Sequence, residues 1–246
     1  MSKPVPSGDA PLPAVQHMLV RYAKRQKMRF ASHRDVARAF ERGVRRAELP
    51  IAFSAGFTPH PKISYAGGAQ TGVASEAEYL SLALTSQREA VDVRDRLNAA
   101  LPDGIDVIAV TENAGGVPAS RLTASEWRVT LPGLTPEEIA PAVAKFLALD
   151  HAPVERLTNK GVRRMDARSA VITLGVRDDS GTRASTAAAR TAGAVLEMVL
   201  RHTVPTVRPD DVLTALRDVS DLVPTAPPLM KRLAQGSFGE SGMVQP

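Results

Sequence analysis

The 246-residue chain contains no cysteine. This absence excludes disulfide bonds, zinc sites with cysteine ligands and cysteine-bound iron–sulfur clusters from the chain itself. The five histidines show no HExxH spacing, and the pairs Gly67-Gly68 and Gly115-Gly116 lack the flanking residues of a phosphate-binding loop. We therefore expect no metal and no cofactor, and specifically no iron, zinc or flavin in the purified protein.

Aromatic residues and long apolar runs are also scarce. Phe, Trp and Tyr make up 4% of the chain, which argues against stacking on single-stranded bases as the main mode of binding. No stretch approaches the roughly 18 apolar residues of a membrane helix. Residues 1–14 are rich in proline and small residues and lack the apolar core of a signal peptide. We expect a disordered tail there, and a cytoplasmic protein that does not bind membranes.

Positive charge is concentrated in one part of the chain, residues 21–62. This segment holds eleven Lys and Arg residues against Asp35, Glu41 and Glu48, a net charge of +8. The whole chain carries +5, so the other residues sum to −3. A local excess of this kind suits a phosphate-backbone partner, whereas a general basic bias would not be localised.

A helix is predicted inside this basic segment. Ser32 can serve as its N-cap, and Asp35 follows three residues later, where an acid is favourable. Apolar side chains then recur every four residues and mark the inward face: Val36, Phe40 and Val44. Leu49-Pro50 ends the helix, because proline disfavours the helical conformation of the residue before it.

Arginines occupy the other faces of this predicted helix: Arg34, Arg38, Arg42, Arg45 and Arg46. Their helical spacing brings the last four close enough to form one positive ridge. Charged residues on a helix are often no more than a solvated face. We favour a functional surface because charge coincides here with the stiff polar loop that follows.

That loop is Gly56-Phe57-Thr58-Pro59-His60-Pro61-Lys62. Gly56 permits an unusual backbone turn, and the two prolines fix the approach of His60. His33, at the helix start, is a second histidine that could face the arginine surface, although it could also be a plain capping-region residue. Phe57 is the one plausible stacking residue, unless it only anchors the loop.

Three motifs carry a family resemblance: Arg29-Phe30 with Ser32-His33 and Asp35, then Gly56-Phe57 with Pro59-His60-Pro61-Lys62-Ile63-Ser64, then Gly72 with Ser75 and Glu78-Tyr79. Together they resemble the radical-SAM-linked domain of unknown function, which occurs in bacteria either free-standing or fused C-terminal to radical SAM enzymes. The resemblance spans roughly residues 16–220. It implies a radical SAM enzyme as partner and a role near RNA processing or modification. Ribonuclease E/G is a second candidate partner. Without cysteine, the radical SAM chemistry itself cannot reside in this chain.

The order of predicted elements indicates an α+β fold with two ferredoxin-like units and antiparallel sheets. Residues 15–112 give βαββαβ, the ferredoxin-like order, and carry the basic helix and the loop. Asn113–Ala119 is the best linker candidate. Residues 120–222 give βαβββα, which suggests a second, related unit. Residues 223–246 are rich in Pro, Gly and Ser, and we expect them to be mostly disordered apart from a turn around Leu229–Leu233.

Two further groups of charged residues could form a binding site or have a purely structural role. A second basic cluster consists of Lys160, Arg163, Arg164 and Arg168. Asp166 lies between two of these arginines and predicts an ion-pair ladder as readily as a binding site. Glu76 and Glu78 share one face of a predicted strand and suit a metal or a basic partner, but an exposed sheet edge is the favoured interpretation.

The leading hypothesis is an RNA-binding accessory protein that presents a structured RNA, such as a tRNA or an rRNA, to a partner enzyme. One alternative is a metal-independent RNA endonuclease in which His33 and His60 act as general acid and base and Lys62 stabilises the transition state. Another is a protein scaffold for the radical SAM enzyme. The predicted RNA-binding residues are Arg29, His33, Arg34, Arg38, Arg42, Arg45, Arg46, Phe57, His60 and Lys62.

Overall fold

The structure of the chain is a computed structural model. It describes residues 11–113, 121–158, 161–177, 193–239 and 242–244. The chain divides into two compact units, Met1–Ala119 and Ser120–Pro246. The first ten residues of the expected tail and residues 114–119 of the expected linker lie outside the described residues. Residues 11–15 have no regular secondary structure.

The first unit alternates strands and helices: β1 (Gln16–Lys24), a short 3-10 helix (Gln26–Phe30), α1 (His33–Arg46), β2 (Ile63–Ala66), β3 (Ala74–Leu84), α2 (Ala90–Ala100) and β4 (Ile105–Glu112). Within the unit the strands follow the order β4-β1-β3-β2. Each neighbouring pair is antiparallel. This is the ferredoxin-like arrangement that the element order predicts.

Helix α1 starts and packs as its sequence predicts. The Ser32 hydroxyl accepts a hydrogen bond from the Asp35 amide, and the Asp35 carboxylate accepts one from the Ser32 amide. This reciprocal pair is a capping box. The three apolar residues of the inward face are at most 3% exposed: Val36, Phe40 and Val44. The opposite face of the helix, which carries the arginines, is therefore exposed to solvent.

Strand β1 supplies the other side of this core by simple alternation. Met18, Val20 and Tyr22 join the buried cluster of α1 and α2 residues. The Tyr22 and Phe40 rings meet edge to face with their centroids 4.7 Å apart. The cluster fixes α1 on the sheet, so the arginines of the opposite helix face are held on a rigid support.

Between α1 and the loop, residues 51–53 form two isolated bridges and no regular strand. Ile51 pairs with Leu84, and Phe53 pairs with Pro61. Pro61 has no amide hydrogen, so it cannot extend a ladder. The bridges nevertheless close the base of the loop that begins at Ser54.

The second unit contains β5 (Ala124–Leu131), α3 (Pro136–Leu147), β6 (Pro153–Thr158), β7 (Gly161–Asp166), α4 (Ala167–Ala170), β8 (Val171–Val176), β9 (Ala194–Arg201), α5 (Pro209–Asp218), β10 (Leu229–Gly239) and β11 (Gly242–Val244). Its main strands follow the order β10-β5-β9-β8 and are antiparallel. Strands β6 and β7 form a separate hairpin. Without that hairpin, the order of strands along the sheet matches that of the first unit.

Strand β10 corrects the expectation that residues 223–246 are mostly disordered. Leu229–Gly239 pairs with β5 and takes the place that β4 holds in the first unit. Two of its buried side chains, Arg232 and Gln235, are polar. The Arg232 guanidinium lies 4.7 Å from the centre of the Trp127 ring. Buried polar residues hide the apolar alternation on which strand prediction depends.

The helices are short. With 14 residues, α1 is the longest helix in the described ranges. No helix there has both the length and the apolar character needed to cross a lipid bilayer.

Candidate nucleic-acid interface

The outward face of α1 carries a row of arginines. At 3.6 residues per turn, Arg34, Arg38 and Arg45 point within about 40° of one another, and Arg42 lies about 40° beyond Arg38. All four are exposed. Within the described residues, no hydrogen bond or ion pair engages their guanidinium groups. Four arginines that are not used by the fold remain available to a ligand; we call them the α1 arginines.

Arg46, the fifth arginine of the helix, differs from these four. Its Nη1 donates to the carbonyl oxygen of Ala100 at 3.1 Å. Ala100 is the last residue of α2, where carbonyl groups lack helical partners and a cation is favourable. Arg46 therefore fastens α1 to α2 through one of its donors, while its side chain stays exposed.

At the start of α1, the predicted residue His33 contacts Tyr65, which sequence reasoning did not single out. The His33 and Tyr65 rings meet edge to face at 5.2 Å between centroids. Gly68 lies beside them, and a Cβ atom at this position would be 3.3 Å from His33 Nδ1 and 3.9 Å from Glu78 Oε2. The Arg29 carbonyl accepts a hydrogen bond from the Gly72 amide at 2.8 Å. The segment 66–72 thus forms one wall beside His33.

Two buried charged residues, Lys24 and Glu78, hold this segment in place. Lys24 is 3% exposed, and its ammonium group donates to the carbonyls of Gln70 at 3.0 Å, Ala69 at 3.3 Å and Ala31 at 3.5 Å. Glu78 is 2% exposed and accepts a hydrogen bond from the Ala69 amide at 2.8 Å. These backbone groups compensate in part for the removal of both charges from water.

Burial of Glu78 corrects the favoured interpretation of this residue as part of an exposed sheet edge. Its neighbour Glu76 is engaged by Arg25, which also bonds Asp106 at 2.9 Å. The hydrogen bond that Arg25 donates to Glu76 is the main reason that the pKa of Arg25 is raised. The sequence signal for Glu78 lay in the third motif of the family resemblance, which contains this residue.

The loop after the helix is closed at its base and exposed at its tip. The Ser54 amide donates to the His60 carbonyl at 2.9 Å, and the His60 amide donates to the Ser54 hydroxyl at 3.0 Å. Gly56 has a φ of 125°, the unusual turn predicted for it. Phe57 is 78% exposed, so it does not anchor the loop. Lys62 and the His60 side chain also face solvent.

The two histidines of the endonuclease alternative do not touch. His33 contacts Tyr65, whereas His60 lies five residues before Tyr65 in the loop, and Ile63–Ala66 is a strand. Five residues of extended chain span about 16 Å. No contact within the described part of the chain joins His33 to His60. General acid–base catalysis needs both groups within hydrogen-bonding reach of one substrate.

Electrostatic effects at the start of α1 are local. Hydrogen bonds from Ser32 hold the pKa of Asp35 below its usual value, and the charge of Arg38 adds to the effect. Burial raises the pKa of the Tyr65 phenol, whose oxygen has no hydrogen-bond partner among the described residues. Within those residues, no three His, Asp or Glu side chains are close enough to hold a metal ion.

The family model described as "Uncharacterized protein conserved in bacteria" (DUF2344) matches residues 17–209. The chain belongs to this bacterial family. The match includes α1, the loop that carries Phe57, the segment 66–72 and Glu78, so the whole candidate interface lies within the family domain. A comparison with curated proteins finds no match.

A solved structure described as the crystal structure of a Cbf5-Nop10-Gar1 complex is similar in shape to the chain. The TM-score is 0.47 at 10% sequence identity. The aligned region covers 92% of this chain and 51% of that one, so the chain spans about half of the length of the protein it matches.

The second basic cluster of this family member is not one surface. Lys160 lies outside the described residues. Arg163 is exposed, and Arg164 is paired with Glu155 at 2.6 Å. Arg168 donates to the carbonyls of Leu147 at 3.3 Å and Val171 at 3.4 Å, which ties it to the fold. Of the cluster members that the structure describes, Arg163 and Arg164 lie at the surface of the hairpin.

Asp166 does not form the expected ladder with Arg164 and Arg168. Its carboxylate caps α4 through the amides of Arg168 and Ser169 and also accepts a bond from the Ala152 amide. The other oxygen bonds His151 Nδ1 at 2.8 Å, which raises the pKa of that histidine. Asp166 is thus a helix cap that uses local backbone donors.

Proposed function

We propose that this protein is an RNA-binding accessory protein that works with a radical SAM enzyme in RNA modification or processing. The observation that carries the proposal is the set of exposed, unengaged α1 arginines. Arginine binds phosphate groups through a planar fork of N–H donors, and RNA supplies such groups at regular intervals. Because the four guanidinium groups lie on the same exposed face of α1, they can contact one RNA together.

The helix offers these contacts as a rigid row. Arg34 and Arg45 are eleven residues apart, which corresponds to about 16 Å along the helix axis. Phosphate contacts of this kind position an RNA without reading its sequence. We propose that structured RNA, such as a tRNA or an rRNA, lies along this face.

The loop would add contacts of a different kind. Phe57 presents an exposed ring at the tip of a loop that is hydrogen-bonded at its base. Such a ring suits stacking on one unpaired base, and a single base is compatible with the low aromatic content of the chain. His60 and Lys62 flank it as donors to phosphate or sugar. Arg29 and His33 would contact RNA nearer the start of α1.

The radical SAM partner is what the family resemblance implies, and the lack of cysteine is compatible with it. A radical SAM enzyme binds its iron–sulfur cluster through cysteine, and this chain has none. We propose that the enzyme supplies the reaction and this protein supplies RNA affinity, in the cytoplasm, with ribonuclease E/G as a further possible partner. In this division of roles the chain itself catalyses no reaction.

The test begins with RNA recovered by crosslinking in cells, and it measures binding by the purified protein. Arg38→Ala with Arg42→Ala removes two α1 arginines and should weaken binding by about 10-fold or more across many RNA sequences. Arg94→Ala with Arg96→Ala is the matched control, because both arginines are on α2 and already paired with Asp95 and Asp92. The control should bind within about 2-fold of wild type. Equal losses in the two double variants would contradict the proposal.

A cleavage assay with the same RNA addresses the endonuclease alternative. For an accessory protein, wild type and His60→Ala both leave the RNA intact, and the variant loses a modest part of the affinity. For a nuclease, His60→Ala would keep the affinity and reduce the cleavage rate by about 100-fold or more. Wild-type cleavage that disappears in the variant would overturn the proposal.

A further inference from the structure

A polar cleft in the second unit lies between the β6–β7 hairpin and the segment that leads into α5. Its volume is about 550 Å³. Three arginines and two threonines supply its polar lining: Arg156, Arg163, Arg208, Thr158 and Thr206. Among the described residues, no acidic side chain lines it. We call it the three-arginine cleft.

Two of the arginines face each other across the hairpin. Arg156 on β6 and Arg163 on β7 are direct cross-strand partners. Like charges in this position repel, so the pair needs compensation. The side chain of Arg156 is 18% exposed and bonds the buried Asp211 at 2.6 Å and the Thr206 carbonyl at 3.1 Å. One of the two charges is therefore balanced by the protein.

Arg163 is not balanced in this way. It is exposed, and no hydrogen bond or ion pair within the described residues engages its guanidinium group. The next residue along β7, Arg164, shows what compensation on this hairpin looks like, since it bonds Glu155 at 2.6 Å. Arg163 is left as a cation opposite a second cation.

Arg208 adds a third positive charge. It is partly buried, and its backbone amide donates to Asp211 at 2.8 Å. Burial and the charge of Arg156 lower the pKa of Arg208, although Asp211 and Asp210 act in the opposite direction. Asp211 bonds Arg156 and the backbone amide of Arg208, so neither of these bonds reaches Arg163.

The walls of the cleft are held by the protein's own hydrogen bonds. The Thr203 hydroxyl donates to the Pro205 carbonyl at 2.7 Å, and the Thr206 hydroxyl donates to the Thr203 carbonyl at 3.1 Å. On the opposite wall, the Thr158 hydroxyl donates to the Gly161 carbonyl at 2.8 Å. A ligand would therefore meet arginines on fixed backbone supports, which reduces the entropy lost on binding.

We infer that the three-arginine cleft binds a phosphate group of a ligand. Arg163 and Arg208 would contact the phosphate oxygens, and Arg156, held by Asp211, would add its charge from behind. Phosphate fits better than a carboxylate, because it offers more acceptor oxygens and more negative charge to several guanidinium groups at once. The inference does not rest on RNA binding by the first unit, since all of its residues belong to the second.

The test titrates inorganic phosphate into the ¹⁵N-labelled full chain at constant ionic strength and follows the arginine Nε–Hε NMR signals. We expect a saturable shift that includes the signal of Arg163. Arg163→Gln should weaken binding by about 10-fold. Arg164→Gln is the matched control, because it removes the same charge from the neighbouring residue of the same strand but does not line the cleft, and it should change binding by less than about 2-fold.

Two outcomes would overturn the inference: equal weakening by both substitutions, or no saturable shift below about 20 mM phosphate. A second arm identifies the source of the phosphate group by adding a short RNA or a nucleoside monophosphate to the phosphate-loaded protein. Displacement by RNA that is lost in Arg163→Gln supports a backbone phosphate. Displacement by the monophosphate alone supports a small phosphorylated ligand.

Discussion

Gly68 determines how much room His33 has. A Cβ atom at residue 68 would approach His33 Nδ1 to 3.3 Å, a tight contact, but would reach Glu78 Oε2 only at an ordinary 3.9 Å. His33 is exposed, so its ring can move aside at little cost to the fold. The absence of a side chain at Gly68 therefore allows the His33 ring to keep its position against Tyr65.

Substitution of Gly68 by Ala tests whether this ring position matters for RNA. We expect a small effect on stability and a loss of RNA affinity of about 3-fold, because the His33 donor is displaced. Measurements on Gly68→Ala, on His33→Ala and on the double variant form a thermodynamic cycle. The double variant should bind no more weakly than His33→Ala alone. Losses that simply add would show that Gly68 acts independently of His33.

Ser32 makes a separate contribution, to the stability of α1. Ser32→Ala removes the capping box and should lower the free energy of unfolding by about 1 kcal/mol, measured by urea denaturation. The pKa of Asp35 is lowered in the folded protein, so the contribution of its ionised form is present above the unfolded pKa and is lost as pH falls through the folded pKa. The difference between wild type and Ser32→Ala should shrink in acid. A constant difference across that range would contradict the capping role.

The sequence predicts the contacts of some residues and not of others. The cap at Ser32 was predictable because its partner lies three residues away, and the inward face of α1 was predictable because its apolar residues recur every four residues. Lys24 and Glu78 were not, because charged residues are rarely buried and their partners lie in a loop that only the fold brings near. The contact of Arg46 with Ala100 was not predictable for the same reason, since its partner is on another helix.

At the level of elements, both units use one plan. Strands follow the same spatial order in each, and the second unit adds the β6–β7 hairpin between α3 and β8. The first unit was predictable because the order of its elements, βαββαβ, is that of a ferredoxin-like fold. In the second unit the last strand, β10, was missed because its buried positions include Arg232 and Gln235.

Removal of β10 should therefore destabilise the second unit. A chain that ends after Pro228 loses the pairing of Leu229–Gly239 with β5. We expect the loss of ladder hydrogen bonds and of buried Met230 and Ala234 to cost several kcal/mol, on the order of 3 or more. Hydrogen exchange of the β5 amides is the measurement.

The matched control is a chain that ends after Gly239, which keeps β10 and removes only β11 and the residues around it. Its β5 amides should stay protected. If both truncated chains protect β5 as well as the full chain does, β10 is not the structural counterpart of β4 that its position indicates.

For the molecule as a whole, the distribution of charge matters more than the total of +5. The excess of +8 in residues 21–62 is partly consumed inside the fold, because Lys24 is buried among carbonyls and Arg25 is paired with Glu76 and Asp106. What remains exposed is concentrated on α1. Fewer positive charges are therefore available to a polyanion than the sequence count suggests, but those that remain are concentrated on one helix.

The salt dependence of RNA binding counts these contacts directly. Each phosphate contact lowers the slope of log affinity against log salt by about 0.7 for a single strand and 0.9 for a duplex, because counterions are released. Four α1 arginines in contact predict a slope of roughly −3 to −4. Arg38→Ala with Arg42→Ala should make the slope shallower by about 1.4 to 1.8, whereas Arg94→Ala with Arg96→Ala should leave it unchanged. Affinity alone cannot make this distinction, since a general loss of folded protein would lower it without changing the slope. A slope near zero for the wild type would mean that the α1 arginines do not meet phosphates, and would favour a protein scaffold that docks on the radical SAM enzyme.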